Sequence, residues 1–172
     1  ARGKTTCYEA GLRVPFLIRW PGVSKPHVSH AMVSTVDIVP NLLDAVGAKA
    51  PGDLHGMSLR RVVSNEDTKW RDYLAAEFHF HGAKPFYTRR AIRDERYKLI
   101  HNLLAGEASP STGIDGDRAM TISQTEEYRN TPQGRAFRTF ANPPEFELYD
   151  LNDDPNELVN LAGREDLVEV QA

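Results

Sequence analysis

Gly3-Lys4-Thr5-Thr6-Cys7-Tyr8-Glu9-Ala10-Gly11-Leu12-Arg13-Val14-Pro15, running on into Phe16-Leu17-Ile18-Arg19-Trp20-Pro21-Gly22, is the stretch whose reading decides the fold. It reads as a loop that delivers one cation and then becomes a strand. Gly3 and Gly11 permit close backbone approach or an unusual φ on either side of the loop. Lys4 carries a compact ammonium on a flexible stem, suited to an anionic oxygen or to charge developing on a leaving atom. Glu9 is placed to hold Arg13 or a backbone amide and so brace the loop. Val14 to Trp20, closed by Pro21-Gly22, reads as a buried strand ended by a turn. Taken alone, Lys4 and Arg2 read equally as solvated charges near a terminus.

Working outward, Val28 to Val36 is β-branched and predicts a second strand or extended segment. Asp37 is placed to N-cap a helix over Ile38 to Val46, with Pro40 in the first turn and Gly47 at the end. Val39, Leu42, Leu43 and Val46 make one apolar face, which predicts packing on a sheet. Residues 48–65 read as a connector. Beyond Trp70 the pattern changes to strands at Tyr73 to Phe80, Arg89 to Arg93 and Tyr97 to Asn102, the last two forming a hairpin around Asp94-Glu95-Arg96. Residues 105–143 are polar and too long for an ordinary connection, so they read as a functional excursion with helix near 121–129 or as partly disordered. Phe146 to Leu151 returns as a strand, and a terminal helix starts near Glu165. The expected division is 1–65 as the end of an α/β domain and 66–172 as an antiparallel-sheet subdomain with a helix.

Composition narrows the function classes. The 172 residues hold 21 basic and 24 acidic side chains, a net charge of −3 that gives no overall basic field for nucleic acid. No apolar stretch approaches a membrane span, and the first residues show no signal-peptide pattern. Cys7 is the one cysteine, so neither an internal disulfide nor a Cys-rich zinc site is expected, and it reads as a packing residue.

The opening run resembles the Gly-Lys-x-x-x-Tyr-Glu-x-Gly-x-Arg-x-Pro segment of the type I, formylglycine-dependent sulfatases. Three more segments extend the resemblance in order: Ser34 to Pro40 with its helix, Arg93 to Ile100, and Glu147-Leu148-Tyr149-Asp150-Leu151 to Asn160-Leu161-Ala162. Phe78 to Arg90 and the polar excursion look most like the heparan N-sulfatase (sulfamidase) branch. The resemblance implies the C-terminal part of an alkaline-phosphatase-like sulfatase fold. It further implies a parent enzyme that hydrolyses sulfate esters or sulfamates, with glycosaminoglycan sugars as substrates. An extracytoplasmic location, whether periplasmic, secreted or lysosomal, follows from the same likeness.

Lys4 matches the family lysine that assists at the sulfate and the leaving group. A calcium ion and a formylglycine complete the resembled site. Neither the Cys-x-Pro-x-Arg motif nor a metal-binding Asp-Asn or Asp-His pair occurs in these residues, so both are expected upstream and the 172 residues alone are expected to be inactive. Cys7 is followed by Tyr8-Glu9-Ala10-Gly11 and does not match the nucleophile. His79 and His81, one residue apart, point to one face of an extended backbone, and the likeness places them near a sugar. Tyr87, Arg89 and Arg90 are expected to add a stacking surface and carboxylate contacts. No protein-ligated metal is expected here. The expected partners are a sulfated sugar and the remainder of the catalytic domain. Two alternatives stay open: a non-catalytic glycan-binding or interaction module, and a phosphonate or phosphate monoester hydrolase of the same superfamily.

Overall fold

Tyr97 to Asn102 alternates in a way that only a sheet with two unlike faces accommodates, since Lys98, Ile100 and Asn102 are buried while their neighbours are half-covered. The structure, a computed structural model, describes residues 3–66, 69–81, 86–107, 109 and 117–171. Its strands are β1 (Leu74–Phe78), β2 (Arg89–Arg93), β3 (Tyr97–Asn102) and β4 (Phe146–Asp150), in the order β1-β2-β3-β4. β2 and β3 pair antiparallel with Ala91 opposite Ile100, and β3 and β4 pair antiparallel with Ile100 opposite Glu147. The hairpin turn forms because the Asp94 carboxylate accepts from the amides of Arg96 (2.7 Å) and Tyr97 (2.5 Å).

Two compact units divide the chain: residues 1–14 with 75–172, and residues 15–74. These units are drawn by packing within the chain and do not coincide with the expected domain boundary at 65/66, which they leave open. The opening run belongs with the sheet because its side chains complete the sheet's core. Cys7 and Tyr8 pack with Ala91, Ile100, Tyr149 and Phe140. The Tyr8 ring meets Phe140 and Tyr149 edge-on at 6.2 and 6.1 Å, the arrangement that aromatic quadrupoles favour.

The excursion contributes to that core. It carries α4 (Asp117–Ser123), which overlaps the start of the helix expected near 121–129, and α5 (Pro132–Ala141) beyond it; residues 108 and 110–116 lie outside the described set. Thr131 caps α5 by accepting from the Gly134 amide, with Pro132 at the first helical position. A Cβ on Gly134 would stand 2.1 Å from the Tyr128 carbonyl oxygen, so only glycine lets the helix begin there. A single turn at Glu165–Leu167 and α6 (Val168–Gln171) form the expected terminal helix.

The unit 15–74 departs from expectation. Residues 14–20 form no strand, and 28–36 take the extended-segment alternative up to Ser34 without strand pairing, since among the described residues no strand pairs with either run. Helix α2 (Ile38–Ala45) is present, but its expected sheet-packing face is open: Leu42 is 58% and Val46 77% exposed, and Leu17 reaches 95%. Asp37 does not cap α2. It closes a 3₁₀ turn (Thr35–Asp37) and, fully buried, accepts from the amides of Ser34 and Met57 and from the Arg71 fork. The apolar centre is Leu59, Val62 and Val63 with Ile18, Trp20 and Trp70 packed against them; the last two valines lie on the short helix α3 (Arg60–Val63).

Lys98 is the charge on which the sheet unit turns. Its ammonium donates to Glu9 (2.8 Å), Glu157 (2.7 Å) and the Cys7 carbonyl (3.1 Å), which uses all three of its protons. Lys98→Met should cost about 3–5 kcal/mol by leaving buried carboxylates without their counter-charge. Urea unfolding at neutral pH checks this, with Arg164→Ala at the exposed Arg164–Asp166 pair expected to show no measurable loss.

Candidate functional site

Lys4 stands exposed on a loop whose base is tied into the sheet unit. Thr5 takes φ +71°, and the Thr6 hydroxyl donates to the Gly3 carbonyl at 2.7 Å. A Cβ on Gly11 would meet Gly3 O at 2.5 Å and Thr6 Oγ1 at 2.7 Å, so the loop folds back on itself only with glycine there. At the base, Tyr8 caps α1 (Glu9–Leu12) with extended backbone and donates its hydroxyl to Glu147 at 2.8 Å. Glu9 does not hold Arg13 as expected. It binds Arg93 (2.8 Å) and Lys98, and its amide donates to Glu157 at 2.7 Å. Among the described residues the Lys4 ammonium has no ion-pair partner, so it remains available to an outside anion.

Buried carboxylates hold this base together. Burial opposes ionisation of Glu9, but the hydrogen bond and charge of Lys98, and then Arg93, outweigh it and keep the carboxyl below its ordinary value. Glu147 accepts from Tyr8, Tyr149 (2.5 Å) and Asn102 (2.8 Å). Asn102 accepts from Arg89 (3.1 Å), and Arg89 also donates to Ser109. Cys7 is fully buried, and desolvation pushes its thiol up to about 11, which removes it from nucleophilic chemistry.

The sequence-predicted sugar residues separate into two sets. Tyr87 and Arg89 point into the interior, with the Arg89 guanidinium 4.6 Å over the Tyr87 ring and 5.0 Å from the Phe140 ring. They offer no stacking surface; they brace β2. The Tyr87 hydroxyl has no partner among the described residues, and burial pushes its ionisation up. Arg90 is exposed and lies 3.7 Å from Glu77, which is also 3.5 Å from His79. His79 further meets the Thr88 hydroxyl at 3.2 Å and stacks on Phe86. His79 and His81 lie past the end of β1, and His81 is exposed. Residues 82–85 of the same segment are outside the described set.

Sequence reasoning missed the Lys98, Glu147 and Glu157 cluster and the pairing of His101 with Phe146. A signal existed for the first. Lys98 and Glu147 sit at inward positions of the neighbouring strands β3 and β4, and an inward charge demands inward partners, which here are Glu9 and Glu157 for Lys98 and Tyr8, Tyr149 and Asn102 for Glu147. Among the described residues no group of three or more His, Cys, Asp or Glu is placed to hold a metal ion.

Comparison with known proteins follows this geometry. The fold is that of sulfatases: a putative sulfatase from Bacteroides thetaiotaomicron superposes with TM-score 0.67 at 24% identity, covering 98% of this chain and 29% of that one. A phosphonate monoester hydrolase from Silicibacter pomeroyi gives 0.65 at 22% identity, covering 98% and 28%. An ulvan-active sulfatase of Formosa agariphila is 31% identical over 95% of this chain and 32% of its own length. Human arylsulfatase A is 32% identical over 94% of the chain and 28% of its own. Residues 3–109 match the family model described as N-sulphoglucosamine sulphohydrolase, C-terminal, and the chain belongs to that family of type I sulfatases as a C-terminal portion. It spans about a third or less of these relatives.

The depressed Glu9 carboxyl sets the sign of an acid effect. Its folded value lies below its ordinary 4.5, so its contribution to stability is whole above that pH and is lost as pH falls through the folded value. Glu9→Gln should therefore lower stability at pH 7 and flatten the further loss below about pH 5, as read from thermal unfolding across that range.

Proposed function

We propose that the parent of this chain hydrolyses sulfate esters or sulfamates on glycosaminoglycan sugars, with N-sulfoglucosamine as the narrower substrate. The observation that carries the reading is the free Lys4 ammonium on a loop anchored through Tyr8 and Glu9. The family match and an N-acetylglucosamine-6-O-sulfatase of Bacteroides thetaiotaomicron, 28% identical over 98% of the chain and 24% of its own length, support the substrate class. Calcium and formylglycine belong to this proposal by family resemblance, and no step below runs through them.

In this reading Lys4 contacts a sulfate oxygen or the leaving atom and stabilises negative charge as the S–O or S–N bond breaks. The buried base fixes where the loop starts, and the side chain of Lys4 reaches the substrate from there. His79, His81 and Arg90 contact the sugar, which does not change during the reaction, and Tyr87 and Arg89 support them from inside. The open apolar side chains Leu17, Leu42 and Val46 are the surface on which the remainder of the catalytic domain sits. An extracytoplasmic location is part of the proposal, supported by relatives named as extracellular sulfatases in Caenorhabditis elegans and Drosophila melanogaster. The fold likeness to a phosphonate monoester hydrolase supports a second reading, in which the same lysine serves a phosphorus centre.

In the intact parent, Lys4→Ala should lower kcat by about 100- to 1000-fold on an aryl sulfate. His79→Ala and Arg90→Ala should instead raise KM on a glucosamine-containing sulfate. The 172 residues alone should show no turnover above buffer. Wild-type turnover of a phosphonate monoester with none of any sulfate would replace the first reading by the second.

A further inference from the structure

The inner face of the sheet is closed by the opening run and α5, but the outer face carries an unusual line of side chains. Arg90, His101 and Phe146 are direct cross-strand neighbours on β2, β3 and β4. Residues directly opposite in antiparallel strands project to the same side, so these three share one face. The His101 and Phe146 rings stack at 4.6 Å with 23° between their planes. From Arg90 the line continues through Glu77 (3.7 Å) to His79 (3.5 Å) and the Phe86 ring, which stacks on His79 at 5.9 Å and 13°. Two imidazole–phenyl stacks thus stand at the ends of one arginine–glutamate pair.

Three features set this line apart from an ordinary solvated sheet face. Phe146 is 39% and Phe86 60% exposed, so each ring presents a flat apolar surface to solvent after its stack with histidine is made. The Arg90–Glu77 approach at 3.7 Å is longer than a direct hydrogen bond, so the Arg90 fork keeps donors free. His101 has only a loose approach to Glu145 at 3.8 Å and likewise keeps hydrogen-bonding capacity. With strands about 4.8 Å apart, β1 to β4 spans about 14 Å, longer than one monosaccharide needs.

We infer that this outer face carries the sugar contacts of Arg90 and His79 on into a binding strip for an anionic glycan chain, reaching beyond the sugar that is cleaved. The inference rests on the glycan reading above and deepens it. The apolar C–H face of a pyranose lies on each phenyl ring and loses water there. A carboxylate or sulfate on an intervening sugar receives the Arg90 fork, with geometry a lysine would not give. Glu77 and the two imidazoles take the hydroxyls between. The strip binds parts of the chain that are not being cleaved and so favours a polymer over a monosaccharide.

The test is binding of a heparin-type hexasaccharide, and of neutral cellohexaose, to the intact parent protein by titration calorimetry. Arg90→Gln and Phe146→Leu should each weaken hexasaccharide binding about tenfold. Phe146→Tyr, which keeps the ring, should hold wild-type affinity, and Val168→Ala, on the exposed terminal helix, should leave binding unchanged. Unaltered melting temperatures establish that the variants fold. Hexasaccharide binding unaffected by Arg90→Gln and Phe146→Leu overturns the strip, as does equal affinity for cellohexaose. Wild-type aryl sulfate turnover is read in parallel. Turnover with indifferent strip variants sinks the strip alone, whereas ring-dependent glycan binding without any sulfatase turnover sinks the enzymatic reading and leaves the strip standing.

Discussion

A fully buried ammonium is the constraint around which the sheet unit is organised. Lys98 cannot stay in the interior without partners, because desolvating an unpaired charge costs more than packing returns. Its three protons go to the Glu9 and Glu157 carboxylates and the Cys7 carbonyl. These partners come from opposite ends of the sequence and fix where each end lies. Glu9 draws in Arg93, and Glu157 receives the Glu9 amide.

The same logic separates the two kinds of residue in the opening run. Tyr8 and Glu9 are consumed by Glu147, Lys98 and Arg93, whereas Lys4 is exposed and pairs with no carboxylate among the described residues. Charge at the tip is thereby presented, not spent. A similar division runs through β2, where Arg89 braces Asn102 and Ser109 from inside and Arg90, one residue on, turns to the other face. Adjacent arginines in a strand take opposite fates because successive side chains point to opposite sides.

The unit 15–74 is held differently. Asp37, buried against the Arg71 fork and two backbone amides, ties the segment before α2 to residues 57 and 71. Burial opposes its ionisation and the Arg71 fork with the Met57 and Ser34 amides outweighs that, so the carboxyl stays below its ordinary value. Its small apolar centre leaves the outward faces of α2 and of residues 14–17 uncovered. Amphipathic periodicity shows that such a face wants a partner; it does not show which partner, or that one lies within the same unit.

Local chemistry was legible wherever a few neighbouring residues settle the matter. The hairpin of β2 and β3 with its Asp94 turn, strand β4 and helix α2 could all be read from periodicity, turn residues and spacing, and the family motifs by their resemblance to known ones. The apolar run alone misled at 14–20, since a strand exists only where another strand completes its hydrogen bonds. Asp37 looked like a helix cap because capping is the nearest use for an aspartate before a helix, and only folding brought Arg71 within reach. The site divided in the same way. The sequence by itself determined that Lys4 leads a glycine-flanked loop and that His79 and Arg90 are available polar groups. Tertiary structure alone decided that Tyr87 and Arg89 turn inward, that Glu9 meets Lys98 across 89 positions in sequence, and that Arg90, His101 and Phe146 share one face. Pairings between distant segments are set by strand register and by the need to neutralise buried charge, and neither is written in any single stretch of the chain.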